Sequence, residues 1–362
     1  MPDIDISPYL EDLERRIDPE AESDLMRRWQ EFADGRFDGQ VFTPMRPHRS
    51  PPGIEWPEVS TNAAIEDHET MALQQFGYCS QTLVGGGGGL LCVRCNYGTG
   101  ILPSLFGAEL FMMPEETNTL PTVRPVAEGP EDLRRLVERG VPDIHQALGG
   151  RTFRMGERFL EIKAAYPRIG EHVHLYHPDL QGPMDVVELL RGSGLFLDAV
   201  DRPELVKDLL EVVTETYIRF MRAWDELVPS PDGYCVQWSL LHRGSIMLRD
   251  DSAMNFSPKM FDDLIRPYDE RLLAEFGGGG LHFCGKGDHY IASASEMPGL
   301  RAVNLSQPEY NDMEQIFRHT VDRGIQVVGL PAAGAEEAVA RGRDLHGNVH
   351  CAEAVGQPTA TA

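Results

Sequence analysis

The sequence of 362 residues has no long apolar run, since no stretch reaches the roughly 18 consecutive apolar residues of a membrane-spanning helix. Its N-terminus, MPDIDISPYLEDLERR, lacks the apolar segment of a secretory signal peptide. Basic residues are also few: 33 stand against 57 acidic ones, and the net charge is −24. Because this charge repels phosphate backbones and anionic lipid, neither nucleic acid nor a membrane surface is expected as a partner.

Cysteine is scarce as well. Six cysteines are too few for a disulfide scaffold and fit a reducing compartment, so we expect a cytoplasmic protein whose cysteines are core residues or metal ligands. With 41% hydrophobic and 25% charged residues, the composition is that of a globular protein, and a flexible tail is expected only over 352–362.

What the sequence does contain is an alternation of apolar strands and helical segments. Helices are predicted over 130–139, 203–224, 258–276 and 312–323. Continuous apolar strands joined by helices are typical of a parallel sheet that is buried on both faces. About eight such strands favour an α/β fold, a (β/α)₈ TIM barrel, with an open doubly wound sheet as the alternative. The predicted strands are 90–94, 109–113, 173–177, 234–238, 281–284, 302–305, 326–329 and 348–351.

The N-terminal region differs from the rest. Helical spacing of Leu25, Met26, Trp29 and Phe32 precedes a proline-rich stretch over 43–57 that forms neither regular helix nor central strand. We therefore predict an N-terminal helical extension and connection over 1–55, followed by the barrel over 56–351. The glycine runs at 85–89 and 277–280 lack the spacing of a nucleotide-binding loop and are typical of flexible loops.

The ends of the strands carry the candidate site, because barrel active sites lie at the carboxyl ends of the strands. His282 and Cys284 are two residues apart on one strand and therefore share a face, where imidazole and thiolate could bind zinc. Cys351, at the end of the last strand, is the predicted third ligand. The alternative is a hydrogen-bonded histidine beside two buried cysteines.

Two further strand ends offer polar side chains. Asp250 and Asp251 precede the helix start at Ser257 and Pro258, and are either catalytic acids or ordinary helix-start residues. His172, His174 and Tyr176 were expected on one face of a strand, with His177 as a catalytic candidate, and with Tyr176 and Gln181 as substrate contacts.

Neutral hydrogen-bonding groups and one fixed cation complete the predicted pocket. They suit a small polar substrate that bears a carboxylate or an amide, although the arginine could equally pair with a structural acid. These predicted substrate-binding residues are Arg94, Asn96, Tyr97, Gln237, Asn304 and Gln307.

Several of these segments together resemble the uroporphyrinogen decarboxylase superfamily. The resemblance runs from about 55 to 351 and is carried by Asp250, Ser257-Pro258, Leu281-His282-Phe283-Cys284-Gly285, Asn304-Leu305-Ser306-Gln307-Pro308 and Gly347-Asn348-Val349. It implies a (β/α)₈ barrel. The superfamily also includes zinc methyltransferases that act on methylated corrinoids and thiols.

Within the superfamily, the methyltransferase branch fits the motifs better than the decarboxylases. The arginine-rich R-Q-A-G-R-Y signature of the decarboxylases is replaced by Met45-Arg46-Pro47-His48-Arg49, and Gly98 stands where their essential aspartate is expected. The methyltransferase zinc is bound by a His-x-Cys pair and a later cysteine, which His282, Cys284 and Cys351 match.

The resemblance therefore implies a zinc enzyme that activates a thiol or similar acceptor, with the methyl group supplied by a corrinoid on a separate protein or by another donor. Asp250 or Asp251 would accept the released proton. A carboxy-lyase acting on a porphyrinogen or a smaller acid, and a non-catalytic ligand-binding barrel, are the alternatives. A homo-oligomer is compatible with all three of these functions.

Overall fold

The computed structural model describes residues 4–230 and 233–352. Its strands are β1 (Val41–Phe42), β2 (Cys92–Val93), β3 (Glu109–Phe111), β4 (Thr122–Arg124), β5 (His174–Leu175), β6 (Tyr234–Gln237), β7 (Leu240–Arg243), β8 (Ile246–Arg249), β9 (Gly279–Phe283), β10 (Leu300–Leu305), β11 (Gln326–Pro331) and β12 (Val349–Ala352).

Six of these strands form one parallel sheet in the order β1-β12-β11-β10-β9-β8. Strands β2 and β5 form a separate parallel pair, whereas β3 with β4 and β6 with β7 form antiparallel hairpins. The chain is thus an α/β protein built around a parallel sheet. Ladder hydrogen bonds among the described residues do not join these strands into one closed barrel.

Helices connect the strands. In the described chain they are α1 (Ser7–Arg16), α2 (Pro19–Ala33), α3 (Thr61–Glu66), α4 (His68–Gly85), α5 (Ile101–Leu105), α6 (Pro130–Arg139), α7 (Ala147–Ala165), α8 (Pro167–His172), α9 (Pro183–Arg191), α10 (Gly194–Asp201), α11 (Pro203–Leu227), α12 (Pro258–Leu264), α13 (Arg266–Glu275), α14 (Ile291–Ala294), α15 (Met313–His319) and α16 (Ala332–Ala340). No helix of 4–230 or 233–352 is long and apolar enough to cross a membrane.

Local sequence explains where several helices begin and end. At α12, Ser257 accepts a hydrogen bond from the Met260 backbone N–H, and Pro258 occupies the first turn, where its missing N–H costs nothing. The helix predicted over 258–276 is interrupted at Ile265 and forms α12 and α13. Pro267 explains the break, because it has no N–H to donate to the carbonyl four residues earlier and its ring clashes with that carbonyl, whereas it fits the first turn of α13.

The two faces of the sheet have different neighbours. Along β10, Val303 and Leu305 belong to the large core cluster, whereas Ala302 lies on the opposite face in a second cluster. That second cluster also contains Trp29 and Phe32 of α2 and side chains of both hairpin strands β6 and β7. Because side chains alternate along a strand, Asn304 shares the face of Ala302. Helix α2 and the β6–β7 hairpin therefore pack on the face of the sheet that carries the candidate site.

Several sequence predictions require correction. The segment 109–113 was predicted as a strand of the barrel, but among the described residues β3 pairs only with β4. The segment 234–238 was also predicted as a barrel strand, and it forms a hairpin with β7. His172 ends α8, so it does not share a strand face with His174 and Tyr176. These segments have the apolar composition of strands, and composition does not specify the pairing partner.

The boundary of the predicted extension also needs comment. Val41 and Phe42 fall within the predicted extension over 1–55 and form β1, which pairs with β12 at one edge of the sheet. Strand β8 was implied by the strand end at Asp250 and Asp251, but no predicted strand covered its range. Apart from Ala352, the predicted tail over 352–362 lies outside the described residues.

The glycine run at 277–280 is ordered rather than a flexible loop. Gly279 and Gly280 belong to β9, and a Cβ atom at Gly279 would lie 2.1 Å from the Ile246 carbonyl oxygen. Gly278 has φ 96°, and a Cβ atom there would lie 2.6 Å from the Gly299 carbonyl oxygen. The run therefore permits close approach of backbones at the start of β9.

Candidate metal centre

Three potential metal ligands meet at the carboxyl ends of β8 and β9. Asp251, His282 and Cys284 each offer one ligand atom, and these atoms lie within 4.8 Å of one another. His282 Nε2 is 3.6 Å from Cys284 Sγ and 3.7 Å from Asp251 Oδ1. Ligand atoms at the usual 2.0–2.3 Å from a tetrahedral zinc ion are about 3.3–3.8 Å apart, so the two distances from His282 Nε2 suit a small tetrahedral ion. We refer to these three residues as the metal group.

The orientation of His282 is set by the neighbouring strand. Its Nδ1 lies 2.6 Å from Asn304 Oδ1, while Asn304 Nδ2 donates to the Val328 carbonyl at 2.7 Å. The amide can only accept at Oδ1, so Nδ1 carries the proton and the Nε2 lone pair faces the metal group. Burial lowers the pKa of His282 to about 4, which keeps the imidazole neutral. A neutral ring with a free Nε2 is the form that binds metals.

Cys284 follows β9 in a loop that is hydrogen-bonded to residues after β8 on one side and after β10 on the other. Its backbone N–H donates to Asp251 Oδ1 at 2.8 Å, and its Sγ is 3.5 Å from Ser306 Oγ. The next residue, Gly285, donates to Gln307 Oε1 at 2.6 Å. Burial raises the pKa of the Cys284 thiol to about 12, so it is protonated unless a cation is bound beside it. Gln307, predicted as a substrate contact, positions this loop.

The two predicted acids after β8 have different environments. Asp251 is partly exposed, and its backbone N–H donates to Asp185 Oδ2 at 2.9 Å. Asp250 is 1% exposed and lies next to the carboxyl group of Asp269, which is 0% exposed. Burial raises the pKa of Asp269 to about 7 and that of Asp250 well above its ordinary value. Asp251 faces the metal group, whereas Asp250 belongs to a buried pair of carboxyl groups.

A buried carboxylate that sequence reasoning missed organises the adjacent part of the site. Asp179 is 5% exposed and accepts from Gln237 Nε2 at 2.6 Å. It forms ion pairs with Arg94 and with Arg249, the latter at 3.4 Å. Asp179 follows β5 and thus lies at a strand end, as the predicted site residues do. This position was the sequence signal that could have identified Asp179 as a site residue. The structure thus brings Arg94 and Gln237 together, and Arg94 pairs with an acid. We call Asp179, Arg94, Arg249 and Gln237 the Asp179 cluster.

Trp238 links this cluster to the metal group. Its Nε1 donates to Asp179 Oδ2 at 3.3 Å, and its ring centroid is 4.8 Å from that of His282 with an interplanar angle of 68°. The Arg249 guanidinium carbon lies 5.2 Å from the indole centroid, in the range of a cation–π contact. Trp238 has φ 49°, a left-handed conformation that costs about 1–2 kcal/mol in a non-glycine residue. Sequence patterns had assigned it only to a strand.

Both ring nitrogens of His177 are engaged within the protein. Nδ1 lies 2.8 Å from the Pro178 carbonyl oxygen, and Nε2 accepts from the Met247 backbone N–H at 3.1 Å. Burial lowers its pKa to about 4. This neutral ring connects the end of β5 to β8. The geometry thus places His177 between strands, and its predicted catalytic role stays a prediction.

The remaining predicted contacts are buried around the Asp179 cluster or in the core. Tyr176 is 7% exposed, and burial raises its pKa. Tyr97 is 0% exposed, with the Arg151 guanidinium 4.9 Å above its ring. Asn96 Oδ1 and Gln181 Nε2 have no hydrogen-bond partner within the described chain. Tyr97 lies in the large core cluster, and its hydroxyl likewise has no hydrogen-bond partner within the described chain.

Cys351 is not part of the metal group. It is 2% exposed and lies on β12, paired with Leu330 of β11. Because β12 is three strands from β9 in the sheet, the two sites are separated by about 14 Å measured along the sheet. The structure brings Asp251, rather than Cys351, next to His282 and Cys284. The role of Cys351 as a third ligand stays a prediction.

The fold and the site define an α/β protein with a candidate metal-binding group at the carboxyl edge of a parallel sheet. No protein-family model matches the sequence, and no curated protein matches it. A solved structure described as a methyltransferase from Methanosarcina mazei is similar, with a TM-score of 0.62 and 18% identity over 93% of this chain and 95% of that chain. At this identity the similarity shows a shared fold.

Proposed function

We propose that this protein is a zinc-dependent methyltransferase of the uroporphyrinogen decarboxylase superfamily, which activates a thiol or similar acceptor. The observation that carries the proposal is the metal group, in which His282 Nε2 lies 3.6 Å from Cys284 Sγ and 3.7 Å from Asp251 Oδ1. The fold similarity to a structure described as a methyltransferase supports the same reading.

The chemistry of the donor set favours zinc. One imidazole nitrogen, one thiolate sulfur and one carboxylate oxygen form a mixed set that suits a borderline-soft ion, and three protein ligands leave a fourth position for a substrate. A zinc ion bound there would lower the pKa of a thiol acceptor, so that its thiolate is available at neutral pH. Cys351, the sequence-based candidate for the third ligand, is the alternative to Asp251.

The protein's own residues would orient the acceptor and handle the proton. Asp251 has a second carboxylate oxygen beyond the one that accepts from the Cys284 N–H, and this oxygen can take the proton released by the acceptor. The Asp179 cluster contains two guanidinium groups and one carboxylate, so it carries a net positive charge beside the metal group. In this proposal it binds the polar part of the acceptor, with Asn96 and Gln181 as further contacts.

The methyl donor in this proposal is a corrinoid carried by a separate protein, or another activated methyl compound. Because the metal group lies where β8 and β9 end, a donor would approach from the carboxyl edge of the sheet.

We also propose that the six-stranded sheet and the β2–β5 pair are parts of one interrupted (β/α)₈ barrel. Two contacts support a continuation from β5 to β8: the Gly182 N–H donates to the Arg249 carbonyl at 2.8 Å, and the Met247 N–H donates to His177 Nε2. On the other side, the Leu90 N–H donates to the Ser239 carbonyl of the inserted hairpin at 2.9 Å. The hairpin would then lie inside the barrel.

The test combines metal analysis with a transfer assay. Protein purified without a histidine tag is expected to bind one zinc ion. His282→Gln and Cys284→Ser should each reduce the zinc affinity more than 100-fold, because loss of a ligand costs more than the roughly 10–100-fold typical of a residue that only supports a ligand. Methylcobalamin and a panel of small thiols would serve as donor and acceptors, with the S-methyl product measured by mass spectrometry.

Absence of zinc binding in the parent protein would overturn the zinc proposal. Release of carbon dioxide from a porphyrinogen, without methyl transfer, would instead establish the lyase alternative. If the protein binds zinc but transfers no methyl group to any thiol in the panel, the acceptor assignment is wrong.

A further inference from the structure

The tip of the β6–β7 hairpin has an unusual sequence for its conformation. Gln237 pairs with Leu240, so the turn consists of Trp238 and Ser239 alone, with φ values of 49° and 67°. A two-residue hairpin turn with both φ values positive is of type I′, which strongly favours Asn-Gly. A bulky residue at the first of these positions is rare. Strained backbone of this kind persists where the surrounding structure enforces it, and it is concentrated at functional sites.

The surrounding structure does enforce this turn. The Leu90 N–H donates to the Ser239 carbonyl at 2.9 Å, and Ser239 Oγ lies 3.4 Å from Cys92 Sγ. Behind the turn, Leu241 is 0% exposed in the cluster that fills this face of the sheet. The hairpin is therefore fixed at both its tip and its stem, and the backbone of Trp238 is held in place.

The indole lies between the two halves of the candidate site. Its ring is 4.8 Å from the His282 ring, and the Arg249 guanidinium is 5.2 Å from the indole. Its Nε1 donates to Asp179, the acceptor shared by the two arginines. Apart from the long contacts of Nε2 within the metal group, one hydrogen bond, from Nδ1 to Asn304, restrains the His282 ring, and this bond still allows the ring to tilt. Contact with the indole removes that freedom.

We propose that Trp238 is a positioning residue of the metal centre: the strained turn presses its indole against His282 and so fixes the direction of the Nε2 lone pair. The inference rests on the proposed function for the metal, but its structural part concerns the His282 ring alone. In this proposal, the turn has the sequence Trp-Ser rather than the favoured Asn-Gly because the indole is needed beside His282.

Four variants separate positioning from simple filling of space. Trp238→Phe keeps an aromatic ring beside His282 and loses the bond to Asp179, whereas Trp238→Ala removes the ring. The double variant Trp238→Asn with Ser239→Gly supplies the preferred turn without the indole. Ser239→Gly alone is the matched control, because it relaxes the second turn residue and retains Trp238.

The first measurement is metal binding, by zinc competition with a chromophoric chelator and by the visible spectrum of the cobalt-substituted protein. Trp238→Ala and the double variant should bind zinc about 10–100-fold more weakly and show altered cobalt d–d bands. Trp238→Phe and Ser239→Gly should stay within about threefold of the parent and keep its spectrum. The double variant should also melt higher than Trp238→Ala by about 2–4 °C, since it has the preferred turn.

The second measurement needs no metal. In ¹⁵N-histidine-labelled apoprotein, with the His282 signals assigned by His282→Gln, the parent and Trp238→Phe should show a single Nδ1–H tautomer. Trp238→Ala should keep the Nδ1–H tautomer, which Asn304 sets, but should broaden the His282 ring signals because the ring is free to tilt. If Trp238→Ala preserves both the parental line widths of the His282 ring signals and the parental cobalt spectrum, the positioning role is overturned. A parent that binds no metal overturns the proposed function, while the line widths of the His282 signals still decide the role of Trp238.

Discussion

Asn304 accepts a hydrogen bond from His282 Nδ1 at 2.6 Å, and by doing so it decides which nitrogen of the imidazole faces Cys284 and Asp251. The two residues are register partners on adjacent parallel strands, β9 and β10. A parallel register therefore supplies the supporting residue of the metal group. Asn304 was predicted from sequence as a substrate contact, and its position assigns it to the support of His282.

Asn304→Ala is expected to weaken zinc binding about 10–100-fold, because His282 loses the acceptor that fixes its tautomer. Isothermal titration of the apoprotein with zinc would measure the loss. Asn62→Ala is the control, since Asn62 bonds Met113 and Glu115 far along the sequence from the metal group and should leave zinc affinity unchanged. Equal affinities in the parent and in Asn304→Ala would contradict the supporting role.

The third ligand can be decided by two single substitutions. Asp251→Asn replaces a charged ligand by a neutral one and is expected to lower zinc affinity at least about tenfold, while Cys351→Ser should not change it. The Cys351 side chain is buried on β12 and its substitution can affect stability, so affinity must be compared at a temperature where both variants are folded. The reverse result would establish Cys351 as the ligand and require movement of β12.

Asp269 makes the stability of the protein depend on pH. Its folded-state pKa of about 7 lies above the ordinary value of 3.8, because the carboxyl group is buried. The folded state therefore binds this proton more tightly than the unfolded chain, so the contribution to stability is fully present below about pH 4 and is lost as pH rises through about 7.

Asp269→Asn should weaken this dependence, with the buried carboxyl group of Asp250 still contributing to it, and should increase the free energy of unfolding at pH 8 by about 2–4 kcal/mol. Urea denaturation at pH 5 and pH 8 would measure it. Asp263→Asn, at a half-exposed helix position that pairs with Lys259, serves as the control. A parent protein whose stability does not fall between pH 5 and pH 8 would show that Asp269 is ionised at little cost.

Removal of the Asp179 charge should destabilise the protein strongly. The side chains of Arg94 and Arg249 are only 14% and 11% exposed, and both pair with this one carboxylate. Asp179→Asn would leave two mostly buried guanidinium groups without a counter-charge, at an expected loss of about 3–5 kcal/mol in the free energy of unfolding.

Asp24→Asn provides the comparison, because Asp24 pairs with Arg27 at a surface where both side chains are more than half exposed. Loss of such a pair typically costs under about 1 kcal/mol. Guanidinium denaturation of the two variants side by side measures the difference. Similar stability losses would mean that Arg94 and Arg249 find other partners.

Local sequence was sufficient for several of the helices and for placing His282 beside Cys284. Proline and serine at helix starts, together with helical spacing, placed helices such as α6 and α11 close to their observed bounds. The alternation of side chains along a strand, applied to Leu281-His282-Phe283-Cys284, placed His282 and Cys284 on one face. Both inferences depend on residues that are neighbours along the chain, where spacing alone determines direction.

Pairing between distant segments was decided only by tertiary structure. The sequence has no signal for which strand lies beside β9. In the structure this strand is β8, and Asp251 at its end, rather than Cys351 of β12, therefore joins the metal group. Asp179 and Trp238 were likewise missed, since their roles arise from contacts between β5, β8 and an inserted hairpin. Side-chain type and spacing determine what a strand end can bind, whereas the third dimension decides which ends meet, because long-range packing selects among strand pairings of similar local propensity.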